Sequence, residues 1–315
     1  MAIYSLSNKR VWVAGHRGMV GAAVVRVLEA RGDVTVVKAG RDIVDLKDQA
    51  AVRHWMKREK PDAIILAAAK VGGIMANATF PADYLYDNLV IESNVIEAAH
   101  REGVGKLLFL GSTCIYPKFA DQPINEDALL TGELEPTNEW YAIAKIAGIK
   151  LCQAYRKQHG HDFISAMPTN LYGPHDNFDL KSSHVLPALI RKVHDAKLAG
   201  GKVTIWGSGT PRREFMHVDD LASALLFIME NYSDHGHLNV GIGDDVTIRE
   251  LAETAAKVIG YRGGFAYDAT KPDGTPRKCT DNTRLRGLGW APRIGLEEGI
   301  ADTYRWFLDN WKDTA

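Results

Sequence analysis

The chain is poor in cysteine and has no long apolar run. Cys114, Cys152 and Cys279 are the only three thiols in 315 residues; they are odd in number and widely spaced. That argues against both a disulfide framework and a zinc cluster, so no metal site is expected. It fits a reducing cytoplasm. The longest apolar run, from Ala222 to Met229 with Ser223 inside it, is far too short for a membrane span, so no membrane association is expected. The N-terminus has no long apolar segment followed by a small-residue cleavage site. Excess charge of one sign is also missing: the formal net charge is −1, which gives no general attraction to nucleic acid or anionic lipid. No internal repeat or low-complexity segment is found. What remains is an ordinary globular composition, 46% hydrophobic and 24% charged, long enough for one large domain or two smaller ones.

Arg10 to Ala14 reads as a short apolar strand, followed by Gly15-His-Arg-Gly18-Met-Val-Gly21 and a helical pattern that runs to Gly32. Strand, glycine-rich turn and helix together form the context of a dinucleotide loop. The glycines let the backbone turn tightly and approach a pyrophosphate at the helix N-terminus. Val34 to Val37 reads as the second strand. No acid ends it to meet a ribose hydroxyl; Lys38-Ala39-Gly40-Arg41 follows instead, and Arg17 lies in the first loop. Two guanidinium groups suit a 2′-phosphate, so the expected cofactor is NADP(H); the alternative is two solvated arginines.

Ala63 to Ala69 and Lys106 to Leu110 read as strands buried on both faces, with an amphipathic helix from about Pro81 to Glu102 between them. Another strand is expected over 163–167. This alternation predicts an α/β fold, a Rossmann-type doubly wound parallel sheet, with a smaller α/β substrate-binding lobe. The expected division is an NADP-binding domain over 1–170 plus about 214–241, and a lobe over 171–213 and 242–315. Ligands in such sheets bind at the carboxyl ends of the strands, where Gly15, Val71-Gly72-Gly73 and Ser112 all fall.

Tyr141 and Lys145 are four residues apart in a helical stretch, hence on one face, one turn apart. A phenol with a free pKa of about 10 is a sluggish acid or base at neutral pH. A fixed ammonium one turn away is expected to lower that value. Cys114 lies two residues after Ser112, so in extended backbone the two side chains point the same way. His184 precedes an apolar helix, and its imidazole suits proton transfer near neutrality.

These residues carry a family resemblance. Gly15-x-x-Gly18-x-x-Gly21, Ser112, Tyr141-x-x-x-Lys145, Asn170-Leu-Tyr-Gly-Pro174 and the stretch from Arg213 to Asp220 resemble the extended short-chain dehydrogenase/reductase superfamily. Within it, the chain resembles the GDP-L-fucose synthases through GHRGMVG from Gly15, AAAKVGGI from Ala67 and GSTCIYP from Gly111. The stretches EPTNEWYAIAKIAGIKLC from Glu135, MPTNLYGPHDNF from Met167 and KPDGTPRK from Lys271 extend the likeness over nearly the whole chain. The resemblance implies inversion at carbons 3 and 5 of GDP-4-keto-6-deoxy-mannose, then NADPH-dependent reduction of the carbon 4 ketone.

It also implies the site. Ser112, Cys114, Tyr141, Lys145 and His184 would be catalytic, with Cys114 and His184 as the proton-transfer pair on opposite faces of the sugar. Cofactor contacts would come from Gly15, His16, Arg17, Gly18, Met19, Val20, Gly21, Arg41, Asp45 and Leu46. Leu110, Gly111, Ser112, Lys145, Pro168, Thr169, Asn170, Leu171 and His184 would complete them. Substrate contacts would come from Lys192, Trp206, Arg213 and Asp273, with Lys278 nearby. Thr113 replaces a second Ser of the family pattern, Trp140 replaces a Pro, and Lys192 stands where Arg is expected, with loss of the bidentate fork. The resemblance implies a GDP-sugar substrate and a homodimer formed through the helices after Pro81 and Tyr141. The rivals are another nucleotide-sugar epimerase or dehydratase of the superfamily, for which Thr113-Cys114 fits water elimination poorly, and a non-catalytic NADP-binding sensor.

Overall fold

The computed structural model describes residues 2–271 and 273–311, so Pro272 of the KPDGTPRK stretch lies outside the described residues. The first half runs β1 (Arg10–Ala14), α1 (Met19–Arg31), β2 (Thr35–Val37), α2 (Gln49–Glu59), β3 (Ala63–Leu66), α3 (Ile74–Thr79), α4 (Pro81–Arg101) and β4 (Lys106–Leu110). Then come α5 (Glu139–His159), β5 (Phe163–Pro168), β6 (Asn170–Tyr172), α6 (Val185–Ala199), β7 (Val203–Trp206), β8 (Arg212–Arg213) and β9 (Phe215–His217). The chain ends with α7 (Val218–Asn231), β10 (His237–Val240), β11 (Val246–Thr247), α8 (Ile248–Ile259), β12 (Phe265–Asp268), β13 (Arg277–Lys278), α9 (Thr283–Gly287) and α10 (Leu296–Asn310).

Six strands form one parallel sheet in the order β10-β5-β4-β3-β1-β2. The alternation of a strand divides its side chains between two cores. Val11, Val13, Ile65, Leu108 and Ile164 face α1 and α7; Trp12, Ala14, Ile64, Leu107 and Phe163 face α2, α4 and α5. Burial on both faces is why these strands read as continuous apolar runs rather than alternating ones. The sheet reverses direction of growth at β1, which has β2 on one side and β3 on the other. A crevice at the carboxyl ends opens at such a switch point.

Several boundaries differ from expectation. The apolar run from Ala63 leaves the sheet after Leu66, although the Ala67 N–H still donates to Ala14 O at 3.0 Å. Helix α2, which the sequence reading passed over, has few apolar residues. They are well spaced: Val52, Trp55 and Met56 are buried together, and the Trp55 and Trp12 rings lie 4.3 Å apart. Helix α6, expected from about Ser183 to Leu198, runs from Val185 to Ala199 with His184 as its N-cap. A third core gathers Phe178, Ile190, Ile205, Leu251 and Phe307 beneath the short sheets β11-β8-β13 and β12-β7. Among the described residues, no helix is long and apolar enough to cross a membrane.

Candidate active site

The loop between β1 and α1 leaves no room for side chains. Gly15 has φ +92°, and a Cβ on it would lie 2.7 Å from Ala68 N; a Cβ on Gly21 would lie 2.1 Å from Gly15 O. Gly18 caps α1 in extended backbone, with no side-chain acceptor for the first N–H groups of Met19, Val20 and Gly21. Those donors and the helix dipole fit an anionic pyrophosphate. His16 stands beside them, its pKa lowered by burial and by the charges of Arg17 and Lys38. Arg17 lies against Gly40 and pairs with Asp42 at 3.0 Å, so one of the two expected phosphate ligands already has a carboxylate partner. Both members are well exposed, and such a pair contributes little. Arg41 is exposed, as is Asp45, which accepts from the Lys47 N–H; Leu46 is half-buried.

The remaining cofactor positions line the ends of β4 and β5. Leu110 is buried, and Gly111 is packed so closely that a Cβ would meet Met167 Sδ at 2.3 Å. Pro168 ends β5; Thr169 follows with a buried Oγ1 that has no hydrogen-bond partner among the described residues. The Asn170 amide is committed elsewhere, donating to Glu214 O at 2.7 Å, while Leu171 packs partly against the core of α1 and α7.

At the mouth of β4 the chain departs from the expected extended backbone. Thr113–Ile115 is a single 3-10 turn, capped by Ser112, whose Oγ accepts from the Cys114 N–H at 3.3 Å. Ser112 and Cys114 still share the accessible side, because the turn buries Thr113 and Ile115. The Cys114 sulfur faces two donors: Asn138 Nδ2 at 3.4 Å and Lys278 Nζ at 3.6 Å. A thiolate formed there would meet one amide and one positive charge. Lys278, expected only near the substrate contacts, therefore stands directly against the candidate catalytic thiol. Its charge, after burial, also lowers the pKa of His184. His184 keeps exposed surface as a residue, but its imidazole is crowded by protein, and burial followed by the Lys278 charge favours its neutral form.

Tyr141 and Lys145 lie on one face of α5, but the expected electrostatics is reversed. The Tyr141 pKa is raised, first by burial, then by Cys114 and Glu92; a hydrogen bond from Ser112 is the opposing influence. The Lys145 charge is directed elsewhere. Its Nζ lies 5.9 Å from the Tyr141 ring centroid, 4.7 Å from the Phe109 ring centroid and 3.7 Å from Glu92 Oε2. Loss of water lowers the Lys145 pKa despite the carboxylate, and raises that of Glu92 to about 7 despite the ammonium. Both partners are thus pushed toward their neutral forms.

In the lobe, parallel pairing of β8 with β13 sets Lys278 beside Arg213 and Arg277 beside Arg212. Alternation sends the two pairs to opposite faces. Arg212 and Arg277 both hold Asp245, whereas Arg213 is half-buried on the cleft side and its pKa is lowered by burial. Further out, Trp206 is 51% exposed, between Lys192 Nζ at 5.2 Å and Lys271 Nζ at 5.5 Å from its ring centroid. Asp273 accepts from the Ser208 N–H at 2.7 Å and Ser208 Oγ at 2.9 Å. An open indole flanked by cations suits a base and its phosphates.

The structure brings Ser112, Cys114, Tyr141, Lys145, His184 and Lys278 to one end of the cleft and Lys192, Trp206 and Asp273 to the other. Sequence reasoning missed Glu92 and Asn138. Asn138 was visible in the EPTNEWY stretch but had no chemistry assigned; Glu92 carried no signal beyond an acid on an amphipathic helix.

Residues 11–241 match the NAD dependent epimerase/dehydratase family. The chain is 58% identical over 314 residues to a GDP-L-fucose synthase of Sinorhizobium fredii, covering 99% of this chain and 100% of that one. It is equally 58% identical over 315 residues to a GDP-L-fucose synthase of Escherichia coli, covering 97% and 98%. Among solved structures, a GDP-L-fucose synthetase from Naegleria fowleri bound to NADP superposes with a TM-score of 0.90 at 29% identity, over 100% of this chain and 98% of that one. Fold, loop and sequence agree: the chain belongs to the NAD dependent epimerase/dehydratase family and, within it, to the GDP-L-fucose synthases.

Proposed function

We propose that this chain converts GDP-4-keto-6-deoxy-D-mannose to GDP-L-fucose by inverting carbons 3 and 5 and then reducing the carbon 4 ketone. The observation that carries the reading is the Cys114 sulfur between Asn138 and Lys278, on the same rim as Ser112 and Tyr141. Protons on carbons flanking a ketone become acidic once the carbonyl oxygen is polarised. Ser112 and Tyr141 hydrogen-bond that oxygen and stabilise the enolate. Cys114, as thiolate, removes the proton from one face; His184 returns one on the other. Burial and Lys278 make the His184 imidazolium a stronger acid than free histidine. When bound, NADPH would supply the hydride for the final step. Tyr141 donates the proton to the ketone oxygen, and its raised pKa keeps the phenol protonated until then. Lys145 holds the nicotinamide ribose.

Lys192, Trp206, Arg213 and Asp273 bind the GDP portion, with Trp206 stacking on the base. Gly15 to Gly21 seat the cofactor pyrophosphate, and Arg41 with Arg17 favours the 2′-phosphate. In this reading residues 1–170 and about 214–241 serve the cofactor, and 171–213 with 242–315 serve the sugar nucleotide. The protein works in the cytoplasm as a homodimer through α4 and α5, whose outer faces expose Tyr86, Trp140 and Ile143.

The test is Cys114→Ser. A serine hydroxyl is too weak an acid to replace the thiol, so exchange of the carbon 3 and carbon 5 protons in heavy water should fall by about 100- to 10,000-fold. Ketone reduction by NADPH should persist and yield an uninverted GDP-6-deoxy sugar. Exchange at the wild-type rate would show that Cys114 is not the base.

A further inference from the structure

Lys145 has a partner that the proposed chemistry does not use. Glu92, on α4, is 2% exposed, and neither carboxylate oxygen finds a hydrogen-bond partner of normal geometry among the described residues. Buried carboxylates are ordinarily satisfied, and an unpaired one is strongly disfavoured. Two groups face this one: the Lys145 ammonium at 3.7 Å and the backbone of Gly148. Gly148 is one turn after Lys145 on the same face of α5. A Cβ there would lie 2.4 Å from Phe109 Cζ and 3.0 Å from Glu92 Cδ, so the glycine is what lets α4 approach closely enough for Glu92 to reach the lysine. A glycine inside a 21-residue helix weakens it, and this contact is the structural return.

We propose that Glu92 is a positioning residue for catalysis: the buried counter-ion that holds Lys145 in place and charged beneath Tyr141. The proposal rests on the reading of Lys145 given above. Lys145 is 2% exposed, in a pocket walled by the Phe109 ring, where an ammonium has almost no water. Without a carboxylate, desolvation alone would govern it and favour the neutral amine. A neutral amine binds a ribose hydroxyl less strongly than an ammonium does. The other titratable groups around the pair are Tyr141 and Cys152 on α5, both raised by burial and by Glu92, and Cys114 on the turn after β4, which acts on Tyr141. Strand β4 brings the Phe109 ring, and β5 brings Ser165, which hydrogen-bonds Cys152.

The experiment follows Lys145 directly, by NMR titration of protein labelled isotopically at lysine Cε and free of NADPH, with the signal assigned by its loss in Lys145→Arg. In Glu92→Gln the Lys145 midpoint should fall by about 1–3 pH units, the range for losing an opposite charge at this distance. The alkaline limb of NADPH-dependent ketone reduction should retreat by a similar amount. Glu92→Asp keeps the charge but withdraws it by about 1.5 Å, one carbon–carbon bond, and should produce a smaller fall in the same direction. Identical Lys145 titration in wild type and Glu92→Gln overturns the proposal. Where Glu92→Gln does not fold, Glu92→Asp decides: an unchanged midpoint and an unchanged limb overturn it equally. The titration needs neither substrate nor cofactor, whereas wild-type turnover of the GDP-sugar tests the underlying reading, so each can fail separately.

Discussion

The two ends of the cleft keep their charges differently. At the reacting end, Lys145 and Glu92 are buried and Tyr141 is half-buried, and burial is the largest cause of every shift in their pKa values. At the nucleotide end, Trp206, Lys271 and Asp273 are exposed, and burial reaches only the half-buried Lys192 and Arg213, whose pKa values it lowers. Buried groups can be tuned because water does not screen them; exposed groups can recognise a large ligand but are harder to tune. Changes at the first end should therefore alter kcat and its pH dependence, and changes at the second should alter KM.

Tyr141→Phe is the strongest test of that division. It removes the proposed proton donor for reduction, so kcat should drop by about 100- to 10,000-fold. NADPH binding should persist, since Lys145 keeps its partner Glu92. Wild-type reduction by this variant would make Tyr141 a structural residue. Trp206→Ala should do the reverse. Losing one stacked base is worth about 1–3 kcal/mol, so KM for the GDP-sugar should rise about 5- to 150-fold. A matching fall in kcat instead would show that the two ends are not separable.

Lys278→Met probes the boundary between them. Burial first, and then Lys278, hold the His184 pKa below its usual value of about 6.5. Removing the cation should let it rise, so His184 becomes protonated at higher pH. Proton exchange at carbons 3 and 5 should slow by about tenfold, because a Cys114 thiolate loses its facing charge. NMR titration of His184 and deuterium uptake check both; a His184 midpoint that stays put separates Lys278 from the acid. An effect of similar size, confined to the choice of cofactor, is expected at the exposed Arg41. Arg41→Ala should reduce the preference for NADPH over NADH by about tenfold, and equal use of both cofactors by the wild type would refute the assignment.

Much of this was legible before the fold was known. The parallel sheet could be read because strands buried on both faces are continuously apolar, and the dinucleotide loop because its glycines sit between a strand and a helix. Side-chain spacing placed Tyr141 and Lys145 on one face. It could not say that the face is dry, and dryness is what reversed the expected direction of the Tyr141 shift. Glu92 looked like a solvated acid, since its burial depends on the approach of two helices at Gly148. Lys278 meets Cys114 across 164 residues of sequence, through a strand pairing only two residues long. Asn138 was missed for a simpler reason: an amide has no chemistry of its own until the sulfur it faces is located.

The position of β10 has a consequence for how the chain is made. Residues His237–Val240 supply the edge strand beside β5, and α7 just before them carries Leu221, Leu225 and Met229 into the core against α1. The sheet thus waits for a segment that arrives after α6 and β7 have already been synthesised. A nascent chain stopped near residue 210 would display both an unpaired β5 edge and an uncovered apolar face on α1, two features that favour association with other chains. Limited proteolysis or truncation between α6 and α7 should accordingly release no stable N-terminal fragment. Inserting an ordered segment at a surface loop of the lobe should be tolerated far better, because it leaves this late closure intact.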